Sequence, residues 1–120
     1  MAMTPKELLN QLMQTEGAMC AALVDYNSGM LLESVGSGMD LELAAAGNTE
    51  VVRAKMKTMK SLGMQGSIED ILITLTHQYH IIRPVEKHDG LFIYYVLDRS
   101  RANLAMARRK VLEAESQTAI

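Results

Sequence analysis

Residues 40–62 read DLELAAAGNTEVVRAKMKTMKSL, and how this stretch folds decides what the rest of the chain must do. Asp40 is suited to cap a helix and Gly63 to stop one, so the spacing predicts the longest helix of the chain over this range. At about 100° per residue, Ala44, Val51 and Leu62 point one way, while Leu41, Val52, Met56 and Met59 form an adjoining strip. Together they cover more than half of the helix circumference, wider than the stripe needed to lie on one sheet. The surplus calls for a second covering surface. Arg53, Lys57 and Lys60 fall close together on the remaining polar arc, about one turn apart.

Upstream, Thr4-Pro5-Lys6-Glu7 has the composition of a helix start, with Thr4 as cap, Pro5 in the first turn and Glu7 closing a capping box. Leu8, Leu9, Leu12 and Met13 mark its apolar face. Met19 to Asp25 and Met30 to Val35 read as two strands joined by a turn at Gly29. Downstream, Ile68 to Leu75, Gln78 to Val85 and Leu91 to Leu97 are rich in Ile, Leu, Val and Tyr and predict three more strands with short connections. Asp98-Arg99-Ser100 ends the last strand and opens a final helix, on which Leu104, Ala105, Arg108, Val111 and Leu112 share a side and whose tail frays from Glu115. The order of helix, two strands, long helix, three strands and helix predicts an α/β (α+β) domain with one five-stranded antiparallel sheet. Periodicity leaves the strand order open.

The chain has 120 residues, 48% of them apolar and only two of them proline, which fits one domain over residues 1–120 with an ordered core at about 5–114. Ten methionines against one Phe, four Tyr and no Trp supply soft apolar volume, either as core filling or as an adaptable contact surface. The formal charge of -2 gives no general attraction to nucleic acid or to an anionic membrane. Its distribution is uneven: residues 1–52 carry -6, residues 53–60 carry +4, residues 61–98 carry -3 and residues 99–120 carry +3. The local patch is therefore Arg53, Lys55, Lys57 and Lys60, which either forms a solvated helix face or docks an acidic protein. No apolar run is long enough to span a bilayer, and the amino-terminal run turns polar before a secretory core develops; a cytoplasmic protein with no direct membrane insertion is expected.

Few residues point to covalent chemistry. Cys20 is the only cysteine, which excludes an intramolecular disulfide and a cysteine-built zinc site within one chain. His77 and His80 lie three apart and face opposite sides of a regular strand, so they do not pair as metal ligands without help from the turn. Glu69-Asp70, Glu86 and Asp89 are scattered over strand and loop positions rather than paired for acid–base work. Gly36-Ser37-Gly38 has turn geometry but no nucleotide fingerprint. The expectation is a non-enzymatic protein with no catalytic residues, no cofactor and no metal.

With this element order in place, the chain resembles the Roadblock/LC7 family, closest in kind to its bacterial small-GTPase regulators. The matching residues are Gly17-Ala18-Met19-Cys20-Ala21-Ala22-Leu23-Val24-Asp25 with Gly29, then Glu69-Asp70-Ile71-Leu72-Ile73 followed by Tyr79-His80-Ile81-Ile82-Arg83-Pro84, and Leu91-Phe92-Ile93-Tyr94-Tyr95-Val96-Leu97-Asp98 leading to Asn103-Leu104-Ala105-Met106-Ala107-Arg108. The resemblance implies a profilin-like sheet in order 2-1-5-4-3, with the first and last helices on one face and the long helix on the other. It also implies dimers joined at the third strands and long helices, and in bacterial relatives a platform for a Ras-like small GTPase.

The expected molecule is accordingly a homodimeric adaptor or regulator of a Ras-like small GTPase. Val52, Met59, Ile71 and Ile73 are placed at the dimer interface, and Arg53, Lys57, Lys60 and Met56 at the partner-binding surface. Alternatives are a scaffold subunit of a motor-associated or signalling assembly with no GTPase contact and, behind it, a small-ligand sensor or an enzyme.

Overall fold

Local signals start each element where the chemistry asks for it. The computed structural model describes residues 3–117. Helix α1 (Pro5–Leu12) begins in the expected capping box: Thr4 Oγ1 accepts from the Glu7 amide at 3.2 Å and Glu7 Oε1 accepts from the Thr4 amide at 3.0 Å. Strands β1 (Ala18–Asp25) and β2 (Met30–Gly36) form the hairpin, and helix α2 (Leu41–Ser61) follows with Asp40 as its N-cap, the Asp40 carboxylate accepting from the Leu43 amide at 3.1 Å. Strands β3 (Ile71–Thr74), β4 (Gln78–Pro84) and β5 (Leu91–Asp98) and helix α3 (Leu104–Ser116) complete the order. The five strands pair antiparallel in the order β2-β1-β5-β4-β3.

The two central strands are apolar on both faces, as strands covered on both sides must be. Ala21 and Leu23 of β1 and Ile93, Tyr95 and Leu97 of β5 pack against Leu8, Leu9 and Leu12 of α1 and Ala107, Val111 and Ala114 of α3. Cys20, Ala22 and Val24 of β1 and Phe92, Tyr94 and Val96 of β5 pack against Ala45 and Val52 of α2. Tyr95 Oη donates to the Leu12 carbonyl at 2.6 Å, which ties the end of α1 to the sheet and leaves that buried hydroxyl satisfied. Gly36 has φ +86°, and an added Cβ there would run into the Met19 carbonyl oxygen, so the exit from β2 requires glycine.

Four expectations change. Strand β3 is shorter than Ile68 to Leu75, because the run before Ile71 is held outside the ladder: the Glu69 carbonyl accepts from Arg83 Nη1 at 3.1 Å, and Asp70 takes a two-point bond from Arg108 at 3.0 and 2.8 Å. At the other end Leu75 closes the turn by donating to the Gln78 carbonyl at 2.9 Å. Helix α3 is capped by Asn103 rather than by the Asp98 run, and its buried side is Ala107, Val111 and Ala114, while Ala105, Arg108 and Leu112 are exposed. Small residues allow the close approach to the sheet and α1, and Arg108 is drawn outward to Asp70. Glu115 does not fray: it is 3% exposed and accepts from Arg83 Nε at 2.9 Å.

The fourth change concerns α2. Its sheet-facing side is Ala45, Thr49 and Val52, the Thr49 hydroxyl being satisfied by the Ala45 carbonyl at 2.7 Å. Val52, expected at a dimer interface, is 0% exposed and buries its side chain inside its own chain, whereas its neighbour Val51 faces solvent. The apolar band is too wide for one sheet, as its periodicity indicates, but its free edge is Leu43, Val51 and Leu62 rather than Val52.

A carboxylate at position 52 would be buried without a partner. Val52→Asp is expected to cost several kcal/mol of stability, measured by urea unfolding.

Candidate interaction site

Helix α2 presents three different surfaces, each built by a separate part of its sequence. Arg53, Lys55, Lys57 and Lys60 are all exposed. The ion pairs among the described residues, Lys6–Glu33, Arg83–Glu115 and Arg108–Asp70, lie on other elements and leave these four cations unneutralised. Arg53 and Lys57 are one helical turn apart, as are Lys57 and Lys60, which puts neighbouring Cβ atoms about 5–6 Å apart. The three share the flank of Ala46 and Thr49, the residues nearest Gly29 of the β1–β2 turn.

The opposite flank of α2 borders a valley over the uncovered half of the sheet. Leu43, Ala44, Gly47 and Asn48 form one wall of a cleft of about 360 Å³, and His80 of β4 and Tyr94 of β5 form the other. Ile71 and Ile73 lie half-buried on the same face of the edge strand β3, Ile73 directly opposite His80 in the ladder. Sequence reading missed His80 and Tyr94 here; the signal was that Tyr94 shares its strand face with Val96, the face that α2 covers.

The third surface lies at the carboxyl end of α2. Met56 and Met59, half-buried, share a cleft of about 290 Å³ with Lys60, Met64 and Ile68. The structure thus brings Met56, Met59 and Lys60 together and keeps Arg53 and Lys57 on the adjoining flank, while Ile71 and Ile73 line no part of this cleft.

Titratable groups near these surfaces are arranged for uncharged hydrogen bonding. His80 Nδ1 is 2.9 Å from Tyr94 Oη, and His80 Nε2 is 2.8 Å from Gln78 Oε1, so a neutral ring protonated at Nε2 accepts from Tyr94 and donates to Gln78. Burial holds the His80 pKa below its ordinary value, pushes the Tyr94 hydroxyl up, and pushes the fully buried Cys20 thiol up. A thiol so placed is a small apolar group rather than a thiolate nucleophile. Among the described residues, no group of three or more His, Cys, Asp and Glu side chains is placed to hold a metal ion. No helix among them is long and apolar enough to cross a membrane. A further polar cleft of about 420 Å³ lies between the end of α1 and the start of α3, with Gln11, Glu16, Arg101 and Lys110 in its walls.

The depressed His80 pKa has a defined consequence for stability. As pH falls below about 6.5, the unfolded chain takes up this proton before the folded one does, so folding free energy is lost until the folded pKa is passed. Glu7 and Asp98, held below their ordinary values by hydrogen bonds from Thr4 and Ser100 respectively, act in a lower pH window. Urea unfolding between pH 7.5 and 5.5 is expected to show decreasing stability, and His80→Gln should flatten that slope.

No family model matches the sequence, and no curated protein matches it. Solved structures do. Myxococcus xanthus MglB superposes with a TM-score of 0.82 at 18% identity, over 93% of this chain and 89% of that one. A Roadblock/LC7 domain from Streptomyces avermitilis gives 0.81 at 14% identity, over 95% and 93% of the two chains. The gliding protein MglB from Thermus thermophilus gives 0.80 at 18% identity, over 94% and 84%. The sheet order 2-1-5-4-3, the helices placed on both faces and these superpositions together establish that the chain has the Roadblock/LC7 fold.

Proposed function

We propose that this chain is a homodimeric adaptor or regulator that docks a Ras-like small GTPase in the bacterial cytoplasm, acting as a single domain and by binding rather than by chemistry of its own. The observation that carries the reading is the unneutralised arc of Arg53, Lys57 and Lys60 on the exposed long helix of a fold shared with MglB. Four cations within eight residues steer association with an acidic surface. Met56 beside them offers an adaptable apolar contact.

Dimerisation is supported by the valley. Ile71 and Ile73 stay in the proposed contact, and Val51 and Leu43 take the places of the buried Val52 and of Met59, which sits in the terminal cleft. Leu43, Val51 and Leu62 are 70%, 39% and 68% exposed, a large apolar loss to water for one helix unless a second copy covers it. Strand β3 is an open edge whose unpaired backbone groups suit pairing with its symmetry mate.

Light scattering in the low-micromolar range should give twice the single-chain mass, and Val51→Asp should shift it toward one chain with the circular dichroism spectrum unchanged. A single-chain mass for the parent protein at every concentration overturns the homodimer.

The GTPase reading is tested by surface-binding kinetics against bacterial Ras-like GTPases loaded with GDP or with a non-hydrolysable GTP analogue. Changing Arg53, Lys57 and Lys60 together to Gln should slow association about tenfold at low salt and weaken its dependence on added salt. Equal rates and equal salt dependence remove the arc from the contact and favour a scaffold subunit without a GTPase contact.

A further inference from the structure

The long helix outruns the sheet that it covers. At 1.5 Å per residue its 21 residues span about 31 Å, whereas the eight residues of β1 span about 27 Å. The fully buried positions of α2 stop at Val52. Met56 and Met59 continue the same helical face: Met56 still packs on the rim of the sheet-facing core, Met59 lies beyond that core, and the segment from Leu62 to Ile68 folds back beneath them and leaves the cleft of about 290 Å³. Met64 remains 55% exposed at its mouth. Methionine side chains are unbranched and polarisable, so such a floor can reshape around bulky apolar groups of differing form.

Charge defines what could lie on this floor. Lys60 lines the cleft, Lys57 stands on the flank beside it, and Lys55 projects on the other side of the Met59 row; none of the three has an ion-pair partner among the described residues. A second cleft shares Met56 and Ile68 with the first and carries Glu69, Glu86 and Asp89, which confines an acidic occupant to the lysine end. We propose that the overhanging end of α2 is a docking site for an acidic amphipathic peptide segment, its bulky apolar side chains seated on Met56, Met59 and Met64 and its carboxylates over Lys57 and Lys60. The occupant is a short segment rather than a folded domain, and it shares Met56, Lys57 and Lys60 with the proposed GTPase contact.

The test uses the full chain labelled at its methionine methyl carbons and titrated with a 12-residue peptide bearing Leu at helical spacing and Glu elsewhere. The methyl signals of Met56, Met59 and Met64 should move and saturate, while that of Met13, at the α1 end of the opposite face, stays in place. The same peptide with Lys for Glu should leave all of them unmoved. Lys57→Glu combined with Lys60→Glu should weaken binding at least about tenfold, and Met64→Gln, an exposed substitution that spares the core, should weaken it as well. Absence of shifts at the three methyls, equal binding of the Lys peptide, or no effect of the charge reversal overturns the proposal. Because no GTPase is present, these outcomes are read independently of the arc experiment.

Discussion

One geometric constraint runs through the molecule: a five-stranded sheet is too wide for one helix. Adjacent strands are about 4.8 Å apart, so the outer strands of this sheet are separated by about 19 Å, whereas a helix with its side chains is about 10 Å across. On one face α1 and α3 share the work, and their contacts with β1, β2 and β4 close that side. On the other, α2 lies mainly over β2 and β1 and reaches β5 through Ala45 and Val52. The strands β4 and β3 therefore leave Ile71, Ile73 and His80 half-exposed on that face, beside a helix whose own outer residues are apolar.

On the face closed by two helices, two arginines hold the fold together: Arg83 is paired with Glu115 inside the protein, and Arg108 with Asp70 in a two-point contact that anchors the approach to β3. The Arg83–Glu115 pair is nearly dry, and removing either partner would strand a buried charge, a loss far larger than that of an exposed pair such as Lys6–Glu33. Where one helix stands alone, its cations have no such partners.

Much of this was legible in the residues. The capping box at Thr4 and Glu7, the cap at Asp40 and the stop near Gly63 depend on local hydrogen bonding and on backbone freedom, and each element begins or ends within about two residues of its signal. The strand β3 was overestimated because Ile68 looks like a strand residue; only its position under the end of α2, together with the hold of Arg83 and Arg108 on Glu69 and Asp70, takes it out of the ladder. Glu115 looked like part of a fraying tail because its partner is 32 residues away in sequence.

The candidate surface divides in the same way. The cationic arc and the excess width of the apolar band are properties of helical periodicity, and the sequence by itself determined both, since residues three and four apart share a face in any α-helix. Which edge of that band is buried was decided only by tertiary structure. Val51 and Val52 are adjacent, equally apolar and equally good helix residues, yet one is 39% exposed and the other 0%, because the roll of α2 about its own axis is set by where Ala45 and Thr49 meet the sheet. Likewise the meeting of Met59, Met64 and Ile68, and that of His80, Tyr94 and Asn48, depends on the return path of the chain and on strand order, which local propensity does not encode.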